Sequence, residues 1–185
     1  MQIIRAQGYA GTSVDDLCRA AGVTKGAFFH HFASKDELAI AAARHWSETT
    51  SAMFASAPYH NHADPLDRVL AYIDFRAGLI DGPPEAFSCL AGTMVQETFA
   101  AKPNVRDACG ASICGHAQTL VDDIAAAMRA SGRRFDFTAE SLALHTQAVL
   151  QGGFILAKAT NDPQIARDSV AHLRRYVSAM LSKGN

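Results

Sequence analysis

The chain has 185 residues, 49% of them hydrophobic and 19% charged, with a formal net charge of −1. That balance belongs to a globular protein and excludes a polycation, so any nucleic-acid surface must be local. No apolar run approaches the roughly 20 residues that span a bilayer, "MQIIRAQGYAG" lacks a signal-peptide core, and four cysteines make no disulfide framework in a chain of this length; a cytoplasmic protein that touches no membrane is expected.

Helical periodicity prevails and strand alternation is absent, which predicts an all-α fold of about nine helices with no internal repeat. Gly8 closes a short first helix. Ser13 is placed to cap a helix over Val14 to Ala20, with Asp16 at its third position, and Gly22 follows as a tight turn. Thr24 caps a second short helix. Leu17, Ala20 and Val23 are expected to face a small core closed by Phe32 and by Phe28 or Phe29. Ser34 and Glu37 have capping-box spacing at the start of a helix running from Lys35 to about Ala57. Its stripe reads Leu38, Ala42, Trp46, Thr49 and Met53.

Asp64-Pro65 and Asp162-Pro163 each read as an N-cap followed by proline. Between and after them the pattern predicts helices over 65–81, 85–100, 103–130, 138–160 and 163–182. The last carries Ile165, Ala166, Val170, Leu173, Val177 and Met180 on one stripe. Gly152 and Gly153 lie inside the preceding helix, at about 1 kcal/mol of lost propensity each. Close approach of another helix would account for them. The expected organisation is an N-terminal domain of residues 1–46 and a larger helical domain of 47–185, bridged by the helix from Lys35.

Residues 13–32 read as helix, tight turn, helix, the arrangement that inserts its second helix into the DNA major groove. Thr24, Lys25 and Gly26 offer a hydroxyl, a cation and an unhindered backbone at the start of that helix. Lys35 can reach a flanking phosphate, and no acid lies between Val23 and Lys35.

The stretch "GYAGTSVDDLCRAAGVTKGAFFHHFASKDEL", Gly8 to Leu38, resembles the DNA-binding head of the TetR family of transcriptional regulators. The resemblance rests on Gly8-Tyr9, Thr12-Ser13, Leu17, Ala21-Gly22-Val23, Lys25-Gly26, Phe29, His31-Phe32, Ser34-Lys35 and Leu38, and covers roughly the first 46 residues. It implies a ligand-responsive regulator, a repressor by the usual pattern, that binds an inverted-repeat double-stranded DNA operator as a homodimer and leaves it when a small-molecule effector binds. It implies that Thr12, Thr24, Lys25, His31 and Lys35 contact backbone or bases, that Gly26 permits close approach, and that Phe28 lies on the exposed face; Ser13 and His30 complete the expected DNA surface. The family commonly has Tyr where this chain has Phe29, which makes Phe29 an expected core residue. Dimerisation is implied through the last two long helices.

For the body, Met53, Phe54, Phe75, Phe87, Met94, Phe99, Ile113, His116 and Phe154 are aromatic, Met or Ile positions of core type, some of which the resemblance implies line an effector pocket. Met53, Phe75, Cys89, Met94, Ile113, His116 and Phe154 are the candidate ligand contacts. His116 lies between Ile113 and Leu120 on one stripe, either as a polar group for an anionic or carbonyl ligand or as a satisfied core histidine. Cys89 is a packed thiol or, by the resemblance, a sensor of electrophiles or oxidants. Cys18 reads as a small buried residue, and Cys109 and Cys114 are too far apart on one helix to bridge. No metal site or cofactor is expected. His30 and His31 point about 100° apart on a helix, and His60 and His62 lack further ligands. Two other readings are a sensor or partner-binding module of the same fold without DNA binding, and a histidine-dependent metallohydrolase, which lacks a nucleophile–base pair and HExxH.

Overall fold

A computed structural model describes residues 1–183. Every regular element among them is helical: α1 Gln2–Gln7, α2 Val14–Ala21, α3 Lys25–His31, α4 Lys35–Ala55, a 3-10 turn at Pro58–Asn61, α5 Pro65–Gly78, α6 Pro84–Phe87, α7 Leu90–Thr98, α8 Pro103–Gln118, α9 Val121–Ser131, α10 Ala139–Thr160 and α11 Pro163–Leu181. Two predicted helices are each split. The one over 85–100 breaks at Ser88-Cys89, because Cys89 turns extended and starts α7 as its N-cap, its Sγ accepting the Gly92 N–H at 3.3 Å. The one over 103–130 breaks at Thr119-Leu120. There the bonds tighten to Thr119 N–H to His116 O (3.2 Å) and Leu120 N–H to Ala117 O (3.0 Å), while Thr119 Oγ1 also donates to His116 O. A 3-10 turn of this kind is a common way for a helix to end.

The helices fall into two compact units. One comprises Met1–Ser51 and Ser88–Ile113; the other comprises Ala52–Phe87 and the chain from Cys114 on. In the first unit, Ile4, Tyr9, Ala39, Ala43, Leu90, Ala91, Met94, Val105 and Cys109 form one buried cluster, with Leu17, Trp46 and Ile113 packed on it. The predicted α4 stripe is therefore turned by one residue: Ala39 and Ala43 are its buried centre, Leu38, Ala42 and Trp46 flank it, and Met53 is exposed.

The turn from α1 to α2 is held from two sides. Gly8 leaves α1 with φ +84°, and a Cβ there would stand 2.6 Å from Glu97 Oε1. The Glu97 carboxylate accepts the Tyr9 N–H at 3.1 Å and the Ala10 N–H at 2.6 Å. Lys35 Nζ donates to the carbonyls of Tyr9 and Thr12, at 3.0 Å each, and lies 4.2 Å above the Tyr9 ring. The Tyr9 hydroxyl donates to Asp36, which also pairs with Lys102 at 2.7 Å. Lys102 first, and then Tyr9, hold the Asp36 carboxyl below its usual range.

In the second unit the longest pairing is an antiparallel hairpin of α10 and α11, turned at Asn161 (φ 53°) and Asp162. Leu150, Phe154 and Ala157 face inward from α10; Ala166, Val170, Leu173 and Val177 do so from α11. Met180 is half-buried, and Leu181 takes the last core position of the predicted stripe. Charged pairs tie α5 to its neighbours: Arg68 to Asp123 of α9 and Arg174 of α11 to Asp74, both at 2.7 Å. Arg133 donates to the carbonyls of Ala179 and Met180 at the end of α11.

Only one of the two adjacent glycines serves close packing. A Cβ on Gly153 would meet Ser169 Cβ at 3.4 Å and Ala166 Cα at 3.5 Å, both on α11, whereas one on Gly152 would meet nothing within 4 Å. The close approach is thus satisfied within the chain. The two positions should respond with opposite signs in urea unfolding. Gly153→Leu is expected to cost about 1–3 kcal/mol by overpacking, and Gly152→Ala to add up to about 1 kcal/mol.

Candidate functional site

The α2–turn–α3 unit is built from local signals. Ser13 and Asp16 form a complete capping box, with Asp16 N–H to Ser13 Oγ at 3.1 Å and Ser13 N–H to Asp16 Oδ2 at 3.0 Å. Ser13 Oγ donates to the same carboxylate at 2.6 Å, so its hydroxyl hydrogen is already committed. These bonds, ahead of Arg19, hold the Asp16 carboxyl below its ordinary range. At the other end Gly22 is left-handed (φ 67°), and the N–H groups of Gly22 and Val23 return to the carbonyls of Arg19 and Cys18. Thr24 then caps α3, its Oγ1 accepting the Ala27 N–H at 3.1 Å; its own hydrogen stays available to donate.

Three expectations for this region are corrected. Phe28 is the core aromatic at 5% exposure and Phe29 is the exposed one at 53%. Phe28 and Phe32 lie four apart on one side, with ring centroids at 5.7 Å, and that contact sets the helix rotation. Val23 is 46% exposed and Ala20 is exposed as well; buried Cys18 takes the inward position beside Leu17. Thr12 has no exposed surface, and its hydroxyl donates to Gly8 O at 2.6 Å, so the side chain holds the turn and does not reach outward. Lys35, expected to reach a flanking phosphate, also has two of its three donors committed to the turn carbonyls.

What remains outward is one face of α3. With 100° per residue, Gly26 and His30 point about 160° away from buried Phe28 and Phe29 about 100° away, while Lys25 lies about 60° from Phe28 and is exposed. His31 lies nearer the Phe28 side and is still exposed. The two imidazoles stand with ring centroids 5.0 Å apart in an edge arrangement. Lys25 pairs with Asp15 at 2.8 Å, both largely solvent-facing. Such a solvent-exposed pair contributes little to stability, so a phosphate can replace the carboxylate. At Gly26 a Cβ would find only Thr24 Oγ1, at 3.7 Å. The surface therefore combines a cation, two imidazoles, a hydroxyl, an exposed ring and a point of open backbone access.

The candidate ligand residues divide between the units. Cys89, Met94 and Ile113 belong to the first, and Met94 is part of its packed core. Cys89 is half-buried at its helix start, and its neighbour Cys109 is fully buried, its thiol pushed up to about 11 by burial and then by Cys89. All four cysteines are free.

Met53, Phe75, His116 and Phe154 belong to the second unit. Phe154 packs on Phe87 at 5.7 Å, away from the other three. His116 sits among residues that the sequence pattern did not single out. Tyr72 Oη lies 2.9 Å from His116 Nε2, Arg76 Nη1 lies 3.4 Å from the same nitrogen, and Gln147 Nε2 donates to Tyr72 Oη at 3.2 Å. Arg76 can only donate, so Nε2 is an acceptor and the ring proton resides on Nδ1. Phe54 stacks at 4.3 Å on the imidazole, and the Arg76 guanidinium lies 5.2 Å over the Phe54 ring. Tyr72 and Arg76, four apart on α5 beside Phe75, were readable as one helical face. Gln147, on distant α10, carried no such signal.

Among the described residues no three His, Cys, Asp or Glu side chains gather as metal ligands. His60 Nε2 is held by Phe54 O at 3.0 Å. No helix there is long and apolar enough to cross a membrane.

Known proteins resemble this arrangement in both parts. The profile "Bacterial regulatory proteins, tetR family" matches residues 1–42, and "Tetracyclin repressor-like, C-terminal domain" matches residues 65–173. A TetR-family transcriptional regulator from Agrobacterium tumefaciens superposes with a TM-score of 0.79 at 22% identity, over 95% of this chain and 91% of that one. A TetR transcriptional regulator from Chloroflexus aurantiacus J-10-FL gives 0.78 at 26% identity, over 95% and 88%. The reduced form of Escherichia coli NemR gives 0.74 at 21%, over 94% and 90%. No curated protein matches the sequence.

Burial, and then the Arg76 charge, lower the His116 pKa to about 4 from an ordinary 6.5. The folded protein therefore keeps this imidazole neutral where the unfolded chain protonates it. Its contribution is full above about pH 6.5 and falls as the pH drops toward 4. Urea unfolding should show a loss of about 2 kcal/mol between pH 7 and pH 5 that His116→Gln largely removes. An identical pH dependence in the variant would contradict this assignment.

Proposed function

Because the chain belongs to the TetR family of bacterial regulatory proteins and is a ligand-responsive transcriptional regulator, we propose that it is a cytoplasmic, non-enzymatic repressor that binds an inverted-repeat DNA operator as a homodimer. The proposed division of labour gives residues 1–46 to DNA and 47–185 to effector binding and dimerisation. The observation that carries the reading is the solvent-facing surface of α3, where Lys25, Gly26, Phe29 and His30 are all exposed. They meet the major groove, with Thr24 and His31 at its edges. Thr12, Ser13 and Lys35 act from behind by fixing the turn and the start of α2.

Two heads related by a two-fold axis would read half-sites separated by about one helical turn or a multiple of it. For pairing, α10 and α11 offer an unburied apolar surface: Leu144, Ile155 and Leu156 on one, Tyr176 on the other, each more than 40% exposed. Leu144, Ala148, Gln151 and Ile155 fall on one stripe of α10. The effector acts by preferring a state whose head spacing does not fit the operator, and it shifts that equilibrium only by its difference in affinity for the two states.

A gel-shift titration against the DNA upstream of the protein's own gene tests the reading. Specific binding is expected. Gly26→Leu has room in the free protein but would block approach to DNA, so binding should fall toward the non-specific level, about 1,000-fold weaker or more, with the thermal midpoint not lowered. Absence of any specific shift from an intact dimer would instead favour a sensor that does not bind DNA.

A further inference from the structure

Among the half-buried arginines of the second unit one stands apart. Arg68 holds an aspartate at 2.7 Å, and Arg167 donates to the Ile80 carbonyl at 2.7 Å. Arg76 is half-buried, forms no ion pair with any described carboxylate, and spends its guanidinium on the Phe54 ring and on a long 3.4 Å contact to His116. A half-buried charge without a counter-charge is costly to keep. Beside it, Tyr59 is 5% exposed, its hydroxyl makes no hydrogen bond to any described residue, and burial pushes its pKa up to about 12. Asp123, whose charge reaches Tyr59, is already taken by Arg68.

The surrounding surface is aromatic. Phe75 contacts Phe54 and Tyr59 at centroid distances of 5.6 and 5.9 Å, and Tyr72 lies 5.5 Å from Tyr59 and 5.9 Å from Phe54. The polar atoms are few and of defined sense: a guanidinium fork, a phenol donor, and a neutral imidazole fixed by Tyr72. This arrangement repels a cationic ligand. It is too poor in hydrogen-bonding groups for a sugar, and a purely apolar ligand would leave Arg76 unpaired. It suits a flat ring carrying one carboxylate, which the guanidinium binds with two parallel hydrogen bonds while the rings stack on the body.

We infer that Arg76, with Tyr59, His116 and the Phe54 ring, forms a subsite for a planar aromatic carboxylate, and that this is the chemical class of the effector; the second part rests on the regulator reading above. On binding, the Arg76 fork leaves His116 Nε2 for the carboxylate, and Tyr72 remains as the imidazole's partner.

Calorimetric titration of the full chain with benzoate, 4-hydroxybenzoate, benzamide and benzylamine tests the subsite. The two carboxylates should bind more tightly than benzamide, and benzylamine should not bind. Arg76→Gln should weaken the carboxylates about 10- to 100-fold and leave benzamide unchanged, with Arg76→Lys recovering part of the loss. Both variants keep a good helix former, and circular dichroism checks that each is folded. Equal affinity of the wild type for benzoate and benzamide, no carboxylate binding at millimolar concentration, or an unchanged benzoate affinity in Arg76→Gln would each overturn the inference. The DNA gel shift on the same preparation separates the two readings. A specific shift without carboxylate selectivity removes the subsite alone; carboxylate selectivity without a shift leaves the subsite and removes the regulator role.

Discussion

The turn from Gly8 to Thr12 has to be satisfied from both sides, and the surface proposed to face DNA depends on how it is done. Its amides point at a carboxylate, Glu97, and its carbonyls at an ammonium, Lys35. Charge-assisted bonds of this kind are about twice as strong as neutral ones, and four of them converge on five residues. Glu97 comes from α7 and Lys35 from the first turn of α4, so the short helices α1 and α2 are fixed to the longer ones of their unit through polar groups. Three short helices alone would bury too little to hold a defined geometry. The buried Thr12 hydroxyl and the Tyr9–Asp36–Lys102 chain extend the same network.

Much of this was legible in the sequence, and the exceptions have physical causes. Helix starts at Ser13, Thr24, Asp64 and Asp162 were readable because an N-cap is a local event; each side chain accepts the expected backbone N–H. The breaks at Ser88-Cys89 and Thr119-Leu120 were not, since neither carries Gly or Pro and a thiol cap is an uncommon signal. The α3 face was half legible. Phe28 and Phe32 share a side by their spacing of four, and that spacing ranks Phe28 above Phe29 for burial; the family pattern pointed the other way. The anchoring of Lys35 was not legible, because its partners are backbone carbonyls 23 and 26 residues earlier, which side-chain identity cannot reveal.

The ligand candidates show the same contrast. His116 was visible as a lone polar group on an apolar stripe. Its meaning comes from Tyr72, Arg76 and Gln147, contributed by helices 40 to 75 residues away along the chain from one partner to the next. Met94, picked for its type, turned out to fill the core of the first unit. In both parts of the molecule the proposed functional groups are exposed or half-buried: Lys25, Phe29 and His30 on α3, and Arg76 beside His116.

The central claim is that Lys25 faces DNA while Lys35 faces the protein. Operator affinity measured across a range of salt concentrations separates the two lysines, because a lysine that neutralises a phosphate contributes its own share to the salt slope. Lys25→Ala should reduce that slope by about one. Lys35→Met should weaken binding and lower thermal stability while leaving the slope close to that of the wild type. Loss of slope in Lys35→Met with stability intact, or an unchanged slope in Lys25→Ala, would contradict the account.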